Sequence, residues 1–158
     1  THSWFAVDPA LASDQRLVSP TIAVPTTLTN LNLQFQHWRD IENVSGSATE
    51  CWDGSILEAS IDGGAFTQVT SAQIAVGDYT GAVNSSGNPL SGLQGWCGSV
   101  PYNNVVVDIS AFAGQNAQFR FRLGSDASVG REGWYIDDFK VQGCSASDLI
   151  FADGFDPP

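Results

Sequence analysis

Between Leu31 and His37 apolar and polar side chains alternate without a break. Leu31, Leu33, Phe35 and His37 fall on one side of an extended chain, with Asn32, Gln34 and Gln36 on the other. Successive residues of a strand point to opposite faces, so this spacing predicts a half-buried β-strand. The period of two returns at Leu57, Ala59 and Ile61, which alternate with Ile56, Glu58 and Ser60. Asp62-Gly63-Gly64 then supplies a hairpin turn into residues 65–69. Another strand is predicted over 104–109. The cleanest comes at Phe119, Phe121 and Leu123, with Arg120 and Arg122 between them. A closing strand is predicted over 133–141, GWYIDDFKV, dense in aromatic and β-branched residues. The short apolar segment 21–24 lies between Pro20 and Pro25, which suits an edge strand.

Helical periodicity is almost absent, and the stretches between strands, 43–52, 77–98 and 125–133, are rich in Gly, Ser and Asn. Many short antiparallel strands with long loops predict an all-β fold, a two-sheet antiparallel β-sandwich of jelly-roll topology. The 77–98 loop is too long to stay structureless in one domain and is expected to pack down, pinned by Trp96 and Cys97. Residues 1–143 are read as one domain, and 144–158 as a short acidic-aromatic tail appended to it.

Charge narrows the partners. Six Lys+Arg stand against 17 Asp+Glu, a net charge of −11, and Lys140 is the sole lysine. Such a surface repels a phosphate backbone and an anionic bilayer alike, so no nucleic acid is expected as a partner. No run approaches the roughly 18 apolar residues of a membrane span, so no membrane insertion is expected either. The chain begins at Thr1 without a signal pattern, which suggests a piece of a longer precursor. Cys51, Cys97 and Cys144 do not have the spacing of a zinc ribbon or a Cys-x-x-Cys motif. In an acidic, Gly-rich, Lys-poor chain they imply a secreted, extracellular protein with one disulfide and one cysteine left over. Cys51 and Cys97 both look like loop positions beside strands and form the expected pair.

Catalytic chemistry finds little support in the residues. His2 lies near the terminus, and His37 falls on an apolar strand face, where a histidine is more often a satisfied core residue than a base. No Gly-x-Ser-x-Gly, His-Glu-x-x-His or phosphate loop is present. A small hydrolase built on paired carboxylates stays open, because 17 acids offer many pairs. The acids do gather near strand ends: Asp40 and Glu42 after the strand ending FQHWRDIE, Asp53 in CWDGS, and Asp137 with Asp138 in the closing strand. If those ends are neighbours, the five carboxylates can converge with backbone carbonyls on one hard cation such as calcium. The other reading pairs Asp137 with Arg39, Arg120, Arg131 or loop N–H groups and leaves Asp138 in solvent. Alternation back from Phe139 and Val141 makes Asp137 the inward acid of the two. Trp38, Trp52 and Trp96 are candidates for a flat ligand platform, or for plugs at the ends of the sandwich.

Four stretches together resemble one family, while the tail DLIFADGFD separately resembles short C-terminal tails on exported proteins of Gram-negative bacteria. The four are LQFQHWRDIEN, CWDGSILEASIDGGAFTQV, VVVDISAFAGQNAQFRFRLGSD and GREGWYIDDFKV. Over about Trp4 to Val141 they resemble the MAM-like jelly-roll modules of secreted bacterial proteins, related to the C-terminal modules of immune inhibitor A-type metalloproteases. The resemblance implies a non-catalytic accessory module attached to a catalytic domain, often a peptidase, and binding a protein, glycan or cell-surface ligand. It also implies a structural calcium, with Glu42, Asp53 and Asp137/Asp138 as the ligands carried over by position. A carbohydrate-binding module using the loop tryptophans is the alternative. The chain departs from the family pattern at Ser55, after Asp53-Gly54, and in adding Cys51 and Cys97.

Overall fold

The computed structural model of the chain describes residues 3–145. Thirteen strands follow in order: β1 (Trp4–Asp8), β2 (Ser13–Val18), β3 (Ile22–Ala23), β4 (Leu28–Ile41), β5 (Glu50–Cys51), β6 (Gly54–Ile61), β7 (Thr67–Gln68), β8 (Ile74–Val76), β9 (Gly81–Val83), β10 (Gln94–Gly95), β11 (Gly98–Asp108), β12 (Asn116–Ser125) and β13 (Arg131–Ser145). Two single turns of 3₁₀ helix, Ser71–Gln73 and Ser110–Phe112, are the only helical pieces among the described residues.

Alternation decides which strands face which layer. β4 buries Leu31, Leu33, Phe35, His37, Arg39 and Ile41 while the residues between them stay at the surface. On β12, Phe119, Phe121 and Leu123 point inward in the same way. The strands form two main antiparallel sheets, one ordered β1-β13-β4-β11-β8 and the other β2-β12-β6-β7, with β3 also on β12. The chain passes from one sheet to the other between β1 and β2, and again between β4 and β6. With the first and last long strands adjacent, this is the jelly-roll sandwich. Asp62 and Gly63, at φ 48° and 76°, make the tight turn between β6 and β7, as the Asp-Gly-Gly sequence requires.

The core between the sheets is aromatic. Phe35, Phe121, Trp96 and Trp134 meet edge-on or tilted, with Phe35–Phe121 at 5.0 Å and Phe121–Trp134 at 5.8 Å between ring centres. Truncating a fully buried ring of this kind to alanine costs about 3–5 kcal/mol. His37 sits in the same core, fully buried, with Nδ1 accepting from Trp134 Nε1 at 3.0 Å and Nε2 2.9 Å from Arg39. Burial, and then the Arg39 guanidinium, pull its pKa down to about 3, so the ring is neutral.

The 77–98 segment does pack down. Its strands β9 and β10 join β5 in a small third sheet, Trp96 is fully buried, and Cys97 is bonded to Cys51. Cys144 is an exposed free thiol. β13 continues through Cys144 and Ser145, which pair with Thr29 and Leu28, so regular structure runs two residues past the expected domain boundary. The remaining tail, 146–158, lies outside the described residues.

The closing strand carries one correction. Trp134 and Ile136 are its buried residues, whereas Tyr135 and Asp137 lie on the outer face. The register shifts between Asp137 and Lys140, and Asp138 stands at φ 52°, which marks a β-bulge. An extra residue reverses the parity of every side chain beyond it. Counting back from Phe139 and Val141 therefore placed Asp137 on the wrong face.

Candidate metal centre

Four chain segments each bring an acid to one pole of the sandwich. Asp8 is the last residue of β1, Glu42 follows β4, Asp53 lies between β5 and β6, and Asp126 follows β12. Asp8 and Asp53 are 1% and 0% exposed, and Glu42 is 8% exposed. One oxygen each from Glu42, Asp53 and Asp126 lies within 4.8 Å of the other two. Asp8 is tied into the group, since its Oδ2 accepts from the Glu42 backbone N–H at 3.0 Å and its carboxyl lies against that of Asp53.

The backbone holds these acids in place. Asp53 N–H donates to the Glu42 carbonyl at 3.1 Å, locking the two segments together. Asp53 Oδ1 accepts from Asn88 Nδ2 at 3.1 Å and from the Asp126 backbone N–H at 2.6 Å. Asn88 also donates to the carbonyls of Trp52 and Gly124. Asp126 caps its own loop, accepting from the Ser128 N–H and hydroxyl through Oδ1 and from the Ser85 hydroxyl through Oδ2. Gly130 and Gly133 let the 126–133 segment run close over β1: a Cβ on Gly133 would collide with the Ala6 carbonyl.

After these bonds are formed, two buried oxygens remain without a partner: Asp8 Oδ1 and Asp53 Oδ2. Buried carboxylates are ordinarily paired or bound to metal. The ion pairs among the described residues join Arg16, Arg120 and Arg122 to Asp14 and Glu58, on β2, β6 and β12. Burial and the neighbouring Asp53 charge push Asp8 up to about 8, and burial raises Asp53 as well. Glu42 is raised by burial and by Asp53 and Asp126, against a pull from Arg131. Asp126 goes the other way: burial pushes it up, but the hydrogen bonds from Ser128 and Ser85 outweigh that. The group thus concentrates negative charge in a desolvated place, where charges of one sign oppose each other's ionisation.

The donor set is all oxygen and comes from loops and strand ends, which suits a hard cation of flexible coordination. Oxygens around a calcium ion at about 2.4 Å can stand up to about 4.8 Å apart, so Glu42, Asp53 and Asp126 fit within one coordination sphere. The two unpaired oxygens face the same need.

Of the acids singled out in the sequence, Glu42 and Asp53 are brought together, and Asp40, Asp137 and Asp138 are not among the converging oxygens. Asp40 is half-buried on the outer face of β4, opposite Gly133 and Ser99. Asp137 accepts from the Asp138 backbone N–H at 2.8 Å, a local bond that closes the bulge. Both acids line an apolar slot of about 350 Å³ beside Trp4, Leu17, Phe121 and Phe139. Arg39 donates to the Cys97 carbonyl and Arg120 to Glu58, so neither serves Asp137. Asp8 and Asp126 were missed. The Asp126-Ala-Ser128 pattern of a self-capping Asx turn was the available signal for the second.

The tryptophans also separate. Trp96 is a core residue, its Nε1 donating to the Gly77 carbonyl at 2.8 Å, and cannot belong to a surface platform. Trp52 is 38% exposed beside Asp53, and Trp38 is half-buried on the outer face of β4.

No family model matches the chain. A stretch of 49 residues is 43% identical to Bacillopeptidase F of Bacillus subtilis (strain 168). The match takes in 31% of this chain and 3% of that protein, so the chain spans a small part of the relative's length.

Proposed function

We propose that the chain is a calcium-stabilised, non-catalytic accessory module carried by an exported peptidase. The observation that carries the calcium reading is the pair of buried, unpartnered oxygens, Asp8 Oδ1 and Asp53 Oδ2, in a group of four acids. Asp8, Glu42, Asp53 and Asp126 would hold the ion. Calcium supplies positive charge that neutralises the group, tying β1, β4, β6 and β12 together at one pole. The role is structural, since a divalent ion bound only by the folded state stabilises that state.

Two further observations support attachment to an exported peptidase. The partial likeness to Bacillopeptidase F favours a module of a larger peptidase polypeptide. The Cys51–Cys97 disulfide favours an oxidising, extracellular setting. His37, the one histidine among the described residues, is buried and neutral, which favours a binding or stabilising role over acid-base chemistry.

The test is thermal unfolding of the whole chain in calcium and in EDTA, with calorimetric titration of calcium into the stripped protein. Calcium at a hundredfold excess over Kd adds about 2.7 kcal/mol of stability. Equal melting temperatures in the two buffers, with no heat of binding, would remove calcium from the reading.

A further inference from the structure

The outer face of the β1-β13-β4-β11 sheet carries one aromatic side chain per strand at a single level. Phe5 of β1 lies opposite Tyr135 of β13, and Tyr135 lies opposite Trp38 of β4. On β11 the register slips between Val100, partner of Arg39, and Asn103, partner of His37, so Pro101 and Tyr102 together stand opposite Trp38. The ring centres of Phe5 and Tyr135 are 4.5 Å apart with their planes tilted by 31°, and Trp38 meets Tyr135 edge to face, 5.5 Å apart at 72°, so the row is stepped and not flat. Tyr102 lies within electrostatic reach of Tyr135.

Phe5 and Tyr102 are 44% and 49% exposed, and Trp38 and Tyr135 are half-buried. None of the four contributes to the core described above. An ordered row of rings left facing water marks a binding surface.

What surrounds the row narrows the ligand. Next to it the face turns to uncharged amides: Gln36 and Asn104 are register partners, and Gln34 follows on β4. Three carboxylates frame it, Asp40, Asp137 and Glu132, and the Tyr135 hydroxyl donates to Glu132 at 3.2 Å. Rings that stack, amides that both donate and accept, and carboxylates that accept match a sugar, with its apolar C–H face and its edge of hydroxyls. The acids on the face and the net charge of −11 repel uronate or sulfated polymers. Strands about 4.8 Å apart repeat close to the length of one pyranose ring, so a linear chain laid across them meets one ring per sugar.

The geometry points to this face as the binding site for a neutral, linear polysaccharide, its sugars packed against the faces and edges of Phe5, Tyr135, Trp38 and Tyr102 and its hydroxyls bonded to Gln36, Asn104 and the flanking carboxylates. The site rests on the accessory-module reading and names what such a module holds. It shares no residue with the acid centre. It also differs from a platform of loop tryptophans, because Trp96 is core and three of its four rings are not tryptophan.

The 158-residue chain is tested for retention on insoluble cellulose and chitin, and by affinity electrophoresis in soluble xylan, mannan and mixed-linkage glucan. Retention on at least one of these is expected. Tyr102→Ala and Phe5→Ala, both at exposed positions, should each weaken it, approaching about tenfold, with an unchanged melting temperature. Trp38→Ala should abolish retention and Trp38→Phe should restore part of it. The inference is overturned if no polymer retains the chain, or if retention ignores all three positions. It is equally overturned if the face instead drives self-association that Tyr102→Ala relieves. Retention that persists in EDTA alongside a lost calcium effect on melting would sink the calcium reading alone. A normal calcium effect with no retention would sink the glycan site alone.

Discussion

Asp8 and Asp53 lie carboxyl against carboxyl at one pole of the sandwich, each almost fully buried and each with one oxygen that no other residue's donor reaches. In the ion-free chain a proton shared between the two carboxyls is what remains to satisfy them. Asp8 ends β1 and Asp53 immediately precedes β6, strands of opposite sheets, so they bridge the two layers. Two such groups in a desolvated place disfavour each other's charge unless a cation lies between them.

That relationship gives a test with a change of sign. Asp8→Asn puts a permanently neutral amide where the ion-free chain must hold a proton on Asp8 up to about pH 8, so in EDTA the variant should melt at or above the temperature of the parent chain. In saturating calcium the order should reverse, with most of the roughly 2.7 kcal/mol available at a hundredfold excess lost. Thermal melts of both proteins in both buffers decide it. A variant that melts lower in EDTA as well would show Asp8 acting through packing and not through calcium.

Stability of the stripped protein should pass through a maximum in acid. Asp8 keeps its proton in the folded state up to about pH 8 but loses it near the ordinary value of 3.8 when unfolded. Across that window the folded state binds the extra proton, so stability falls as pH rises. Asp14 opposes this at lower pH. The hydrogen bond from Arg122, joined by one from Arg16, outweighs burial and holds Asp14 at about 2. Its contribution is present above the ordinary carboxylate value and lost as pH drops towards 2. Melting temperatures in EDTA should therefore peak at roughly pH 4 and decline on both sides. Calcium competes with the Asp8 proton, so its stabilising increment should grow from pH 5 to pH 8. An increment that shrinks with rising pH would contradict the assignment.

What could be read from the sequence follows from physical differences among the elements. β4 and β12 are long and buried on one face, so their alternation identifies them unaided. β1 and β2 escaped notice because β1 is only five residues long with an acid, Asp8, beside Trp4 and Ala6 on its inward face, and the inward positions of β2 are mostly polar. Missing β1 meant missing Asp8. Glu42 and Asp53 stood out because each follows or precedes a legible strand; Asp126 follows β12 just as closely, but it heads a Gly/Ser-rich loop whose return over β1 only the fold reveals. Asp137 and Asp138 were drawn into the centre by a parity that the bulge at Asp138 breaks. No periodicity argument anticipates an inserted residue.

The bulge makes its own prediction. Asp138 holds φ 52°, a left-handed conformation that aspartate tolerates and β-branched residues resist. Asp138→Gly should leave stability unchanged or slightly improved, while Asp138→Val should cost about 1–2 kcal/mol. Asp137→Asn should leave the calcium effect intact, since its carboxylate serves the Asp138 N–H and not the acid group. Chemical denaturation with and without calcium measures all three. Loss of calcium binding in Asp137→Asn would return that residue to the centre and displace Asp8 or Asp126 from it.

The disulfide should couple to the same centre. Cys51 and Cys97, 46 positions apart, clamp the end of β5 to the segment that enters β11, and Asp53 follows Cys51 by two residues. Closing a loop of that length removes unfolded-state entropy worth up to about 4 kcal/mol. Replacing both cysteines with serine should lower stability by an amount of that order. It should also weaken calcium, because the turn carrying Asp53 is then held mainly by the Asp53 N–H bond to Glu42, Asn88 and the Asp126 N–H. Calcium titration of the double variant at a temperature where it remains folded reads the second effect separately from the first. An affinity equal to that of the parent chain would show that those hydrogen bonds alone preorganise Asp53, and that the disulfide acts only on the unfolded state.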